Sequence, residues 1–181
     1  MSEQITPSAR AARWWYQLQP TGGAPNSAAL AQLRRASTPI EALLHPAAVE
    51  LAIRMERRSP AARTRACELA ALLAHVRQDS NERSIAKRLG AGADDARLMS
   101  SLRFRRLMQS APGAERMTAF RRAVQMLGNA VNVERLAYAY LYWDDEHHGE
   151  RLRTDWMFDY VGGGTDDPDA TSDTPSTEEK T

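Results

Sequence analysis

The chain has 181 residues, 43% of them hydrophobic and 26% charged, which is enough to bury one core or two small ones. Its longest apolar runs, such as "ELAALLAHV", are far short of a membrane span, and its start lacks the apolar core of a signal peptide. One cysteine, Cys67, excludes an internal disulfide framework, so a cytoplasmic protein is expected.

Helix follows helix along the chain, with no convincing alternating strand. The first is expected over 8–19, "SARAARWWYQLQ", ending at "PTGG". The second covers 27–37, "SAALAQLRRAS", with Leu30 and Leu33 on its apolar side. "TPIE" at 38–41 is a start signal: Thr38 caps, Pro39 suits the first turn and Glu41 reaches back. Helices over 46–58 and 61–78 follow, and "DSNE" restarts one at 79–82 that ends at "LGAG". The second half predicts helices at 95–109, 114–127, 132–143 and 148–160. Met117, Phe120, Val124 and Leu127 form one stripe, while Leu98 and Leu102 point away from Phe104 and Leu107, predicting a helix buried on two sides. Trp14, Trp15, Trp143 and Trp156 lie among apolar residues and are expected to pack in a core or a subunit interface.

The expected architecture is all-α: two small helical bundles, residues 1–90 and 91–161, joined near 90–94. A disordered acidic tail is expected over 162–181, where apolar periodicity is lost.

Charge is segregated along this framework, although the formal total is only +1. Residues 161–181 hold six acids against one base, leaving 23 bases and 17 acids before them, a net of +6. Within 83–122 ten basic residues face three acids, a net of +7. Of the bases before the tail only Lys87 is a lysine. Guanidinium forks suit bidentate phosphate contacts and stacking on bases. Clustered like charge also opposes folding unless a polyanion or partner relieves it. Nucleic-acid binding is therefore the leading functional reading.

Chemistry is harder to find. "YWDDEHHGE" gathers Asp144, Asp145, Glu146, His147, His148 and Glu150, but adjacent histidines diverge on a helix and the HExxH spacing is missing. A solvated acidic turn is expected there, and a metal hydrolase is the remote alternative. Cys67 reads as a small buried hydrophobe, and His45 and His75 as capping or surface residues. No catalytic residue, metal site or cofactor is expected. "SIAKRLGAGADDARLMSSL" offers a second reading, a helix-turn-helix transcription regulator, although acids stand where its recognition helix would meet bases. A purely structural adaptor is a third.

The ordered set "RWWYQL", "ALAQLRRAS", "SIAKRLG", "SSLRFRRLMQS", "AFRRAVQML" and "LAYAYLYW…LRTDWMFDY" resembles the CasB family, the small subunit of the type I-E CRISPR Cascade surveillance complex, over residues 11–161. The resemblance implies an all-helical, non-catalytic protein that pairs head to tail with a second copy. Its other implied partners are the RNA-bound backbone subunits, guide RNA and target DNA, bound without regard to sequence in antiviral defence. It also implies a basic surface that holds the guide–target duplex and the displaced strand of the R-loop. Carried onto this chain, the nucleic-acid-binding candidates are Arg34, Arg35, Lys87, Arg88, Arg103, Arg106, Arg121 and Arg122. One member of each adjacent pair is open to a competing role in an internal ion pair.

Overall fold

Proline opens four of the helices, at Pro7, Pro39, Pro46 and Pro60, where its missing N–H costs no hydrogen bond. The computed structural model describes residues 5–19, 27–92 and 96–162, and the expected tail beyond Gly162 lies outside them. The described residues form ten helices: α1 (Pro7–Leu18), α2 (Ser27–Leu33), α3 (Pro39–Leu43), α4 (Pro46–Arg54), α5 (Pro60–Leu73), α6 (Ile85–Leu89), α7 (Ser101–Met108), α8 (Ala114–Met126), α9 (Val133–Tyr142) and α10 (Gly149–Gly162). Two short strands, β1 (Gln78–Asp79) and β2 (Ala130–Val131), pair in parallel. The all-α fold expected from the sequence is thus observed.

Side-chain caps set five of the ten helix starts. Thr6, Thr38, Ser59, Ser84 and Asn132 each accept a hydrogen bond from a backbone N–H three residues on. At α3 the expected capping box is present with a variation. Thr38 accepts from the Glu41 N–H at 3.2 Å, while the Glu41 carboxylate reaches to Ser37, taking its N–H at 2.7 Å and its hydroxyl at 2.9 Å. Those bonds hold the Glu41 carboxyl below its ordinary pKa.

α5 is the central helix. From Ala66 to Leu73 every residue is buried, including Cys67, whose thiol is pushed up by burial. A helix apolar all round its circumference must be covered on all sides, and α3, α4, α8 and α9 supply the cover. Glu68 is the polar exception: it accepts a hydrogen bond from the Tyr140 hydroxyl of α9 at 2.8 Å, and burial raises its carboxyl pKa. All four tryptophans are buried. Phe120 of α8 meets Tyr140 and Trp143 edge to face, and Trp156 of α10 closes the same cluster. Each fully buried large apolar side chain contributes about 2 kcal/mol.

The structure departs from expectation in three places. The helix expected to restart at 79–82 begins only at Ile85, as α6, which ends at Leu89 as expected, and β1 occupies Gln78–Asp79 before it. Asp79 ties this segment down, accepting from the Val133 N–H at 2.9 Å and from the Tyr16 hydroxyl, and the Asn129 carbonyl accepts from Arg77 N–H at 2.8 Å. The helix expected over 95–109 starts only at Ser101, with Ser100 extended as its N-cap residue. Leu98 and Leu102 are exposed rather than forming a second buried face. Residues 93–95 of the expected junction lie outside the described residues. On either side of it, α1 packs on α9, α5 on α8 and α9, and α6 on α10, within one continuous buried cluster.

Candidate nucleic-acid interface

Phe104 and Leu107 are buried three residues apart on α7, which leaves Arg103, Arg105 and Arg106 on the outer face. On α8 the buried stripe is Met117, Phe120, Ala123 and Val124, so Arg122 and Gln125 face out. Between the two helices lies a groove of about 620 Å³. Arg103, Arg106, Arg122 and Gln125 line it, over a floor of Met99, Leu107, Ala119 and Met126. Among the described residues no acid lines this groove. Among the described residues, none of the three guanidinium groups has a carboxylate within 4.0 Å. Three unneutralised cations around one trough, on two rigid helices, form a local positive field suited to an anionic strand.

The other expected residues divide by role. In each adjacent basic pair, one member is tied to a backbone carbonyl far along the chain and its neighbour is exposed. Arg34 Nε donates to Ala74 O at 2.9 Å, Arg88 Nη1 to Ala130 O, and Arg121 Nη2 to Ala36 O. Arg35, Lys87 and Arg122 are exposed. The competing internal role is therefore filled by carbonyls rather than by the carboxylates expected. Burial presses the Arg121 guanidinium below its ordinary pKa, with Glu41 opposing.

Arg34 and Arg121 also converge on His75, for which the sequence predicts a capping or surface position. The ring is partly buried; burial first, then the two arginines, bring its pKa down to about 4. It is a neutral imidazole at pH 7.

Arg116 belongs to the arginine-rich stretch but not to the interface. Its side chain is 3% exposed and forms a bidentate pair with Asp144, with Nη2 also donating to Ser110 O at 2.8 Å. The spacing of four from Phe120 is the signal that assigns it to the buried face of α8. The acidic turn it reaches is structural: Asp144 holds Arg116, with Arg65 at 3.8 Å, while Asp145 accepts from the N–H groups of His147 and His148. His148 Nδ1 hydrogen-bonds the same carboxylate, holding its pKa down. Among the described residues no cluster of three or more His, Cys, Asp or Glu is arranged to hold a metal.

A larger hollow of about 940 Å³ between α6, α9 and α10 carries Arg83 and Arg135 but also Glu134, Asp155 and Asp159, a mixed lining that suits a polyanion poorly. The helix-turn-helix reading fails on geometry. Residues 97–100, where its second helix should run, are not helical, and α10 covers the turn. A Cβ on Gly90 would lie 1.9 Å from the Tyr160 carbonyl oxygen.

The family profile of the CRISPR-associated protein Cse2 matches residues 29–160. The chain belongs to the Cse2 family. All eight candidate residues fall inside the match; the whole of α1, the first two residues of α2 and everything after Tyr160 fall outside it. Among solved structures, a CRISPR-associated protein of the Cse2 family from Thermus thermophilus shares the fold, with a TM-score of 0.68 and 22% identity, over 87% of this chain and 99% of that one. A structure of CasB, also from Thermus thermophilus, matches at a TM-score of 0.65 and 20% identity, over 87% and 99% of the two chains. A chain of E. coli Cascade, solved bound to a PAM-containing dsDNA target, matches at 0.60 and 20% identity, over 88% and 96%. At these identities the likeness establishes a common fold, and it agrees with the family resemblance read from the sequence. No curated protein sequence matches the chain significantly.

Proposed function

We propose that this Cse2-family chain is the non-catalytic small subunit of a type I-E Cascade complex, and that its arginines hold nucleic-acid backbone to prolong the R-loop in antiviral defence. The observation that carries the reading is the groove between α7 and α8, where Arg103, Arg106 and Arg122 stand together with no acid among the described lining residues. Arg35, just beyond α2, and Lys87, on α6, add exposed cations. Base identity is not read; the driving term is release of counterions from phosphates. Opening a duplex under a guide RNA is a nearly balanced exchange, so a few backbone contacts to the displaced strand or the guide–target duplex decide how long it stays open.

Membership of an assembly accounts for a second feature. Ile40, Leu44 and Ile53 on or beside α3 and α4 are each at least 70% exposed, and an apolar surface of that kind suits contact with another protein chain. Backbone subunits carrying the guide RNA and a second copy arranged head to tail are the partners this reading assigns.

The test is reconstitution with guide RNA and the other subunits, comparing the natural chain with R103Q/R106Q/R122Q. Assembly should be unchanged while the lifetime of the open target duplex falls. An undiminished lifetime in a fully assembled complex contradicts the proposal.

A further inference from the structure

The residues after Gly162 read "GGTDDPDATSDTPSTEEKT", with six acids and one lysine, and they lie beyond the part of the chain that matches the family. Their point of departure is fixed by α10. Tyr160 stacks on Phe104 of α7, ring centroids 3.8 Å apart, and its hydroxyl donates to the Met99 carbonyl at 2.7 Å. Met99 lines the groove, and Phe104 sits between Arg103 and Arg105. The acid-rich segment therefore begins three residues after a side chain that is hydrogen-bonded to Met99, a residue of the groove's floor.

We propose that residues 166–173 of this segment dock in the α7–α8 groove and compete there with nucleic acid. Charge supports the pairing. Asp166, Asp167 and Asp169 bring three carboxylates within four residues to a trough with three guanidinium groups and, among the described residues, no acid. Guanidinium forks take carboxylates as readily as phosphates in bidentate contacts. Reach supports it too. At about 3.3 Å per extended residue, Asp166 lies up to about 13 Å from Gly162 and Asp173 up to about 36 Å, whereas packed helix axes are about 8–10 Å apart.

Tethering makes a weak contact matter. A short flexible linker gives an effective concentration on the order of millimolar. Carboxylates at that level fill the groove against a short or single phosphate contact. A strand held at several phosphates at once displaces them. The segment thus sets a threshold, favouring long, multiply contacted polyanions over incidental ones. The competition rests on the phosphate-binding role proposed above; the docking itself does not.

The test uses the full chain with D166N/D167N/D169N/D173N. Fluorescence anisotropy with a single-stranded oligonucleotide at low salt should show affinity about fivefold tighter than that of the natural chain. The gain should vanish at high salt and in an R103Q/R106Q/R122Q background. Docking is read separately, without nucleic acid, from a spin label on S172C: the backbone amide signals of Arg103, Arg106 and Arg122 should broaden at low salt and recover at high salt. Broadening in a chain that binds no oligonucleotide leaves docking standing and removes the phosphate-binding role. Oligonucleotide binding of equal strength in both chains overturns the competition, and an absence of broadening overturns the docking.

Discussion

Arg121 and Arg122 are neighbours on α8 with different surroundings: Arg121 is half-buried and donates to the Ala36 carbonyl, and Arg122 stands exposed at the edge of the open groove. The bond from Arg121 joins residues 85 apart in the chain, so it fastens α8 to the segment between α2 and α3. Removing the partly buried donor leaves that carbonyl short of a charged partner, at a cost of about 1.5 kcal/mol. R121A should lower the urea midpoint accordingly, while R122A should stay within about 0.5 kcal/mol of the natural chain. In oligonucleotide binding the order should invert, with R122A the weaker binder. Equal effects of the two substitutions on stability would remove the division of roles.

The Arg116–Asp144 pair supplies a second prediction. Arg116 is 3% exposed and Asp144 34%, so the two partners are not equivalent. Losing Asp144 strands a buried guanidinium with only the Ser110 carbonyl, whereas losing Arg116 leaves a carboxylate that water and Arg65 still reach. Breaking a buried pair costs about 3–5 kcal/mol. D144A should fall in that range and R116M below it, as read by chemical denaturation. The reverse order would show that the pair is not held as described.

Gly90 is required by contact rather than by turn geometry. Its φ is −86°, ordinary for any residue, yet an added Cβ would lie 1.9 Å from Tyr160 O. G90A must push α10 from α6, loosening the Tyr160–Phe104 stack and the Trp156–Trp143 contact. A lower Tm with a red-shifted tryptophan emission is expected; an unchanged Tm would show that α10 is not seated on α6.

His75 predicts a pH dependence. Its pKa is about 4 in the folded chain against an ordinary 6.5, so the unfolded chain takes up the proton first as pH falls. The stability it confers is complete above pH 6.5 and is lost progressively toward pH 4, at no more than about 1 kcal/mol per pH unit. The raised carboxyl of Glu68 acts in the opposite sense, which is why the comparison must be with H75Q. Between about pH 6.5 and 5 the natural chain should lose more stability than H75Q; parallel profiles would contradict the assignment.

What the sequence revealed was mostly local. The prolines at the starts of α3, α4 and α5, the cap at Thr38 and the apolar stripe of α8 are each visible within a turn or two of chain. The outward face of Arg103, Arg106 and Arg122 follows from the same periodicity. What stayed hidden is long-range. The carbonyls that hold Arg34, Arg88 and Arg121 lie 40, 42 and 85 residues away. β1 and β2 are two residues each, too short to show alternation, and depend on Asp79 reaching α9 and α1. His75 became a depressed base because the fold buries its ring and then brings two arginines from other segments close to it.

The most direct measurement is the salt dependence of single-strand binding for the natural chain and for R103Q/R106Q/R122Q of matching Tm. Each phosphate contact contributes about −0.7 to the log–log slope. If the three guanidinium groups of the α7–α8 groove each hold a phosphate, the substituted chain should show a slope shallower by about 2. An identical slope, with weaker or unchanged affinity, would contradict the account.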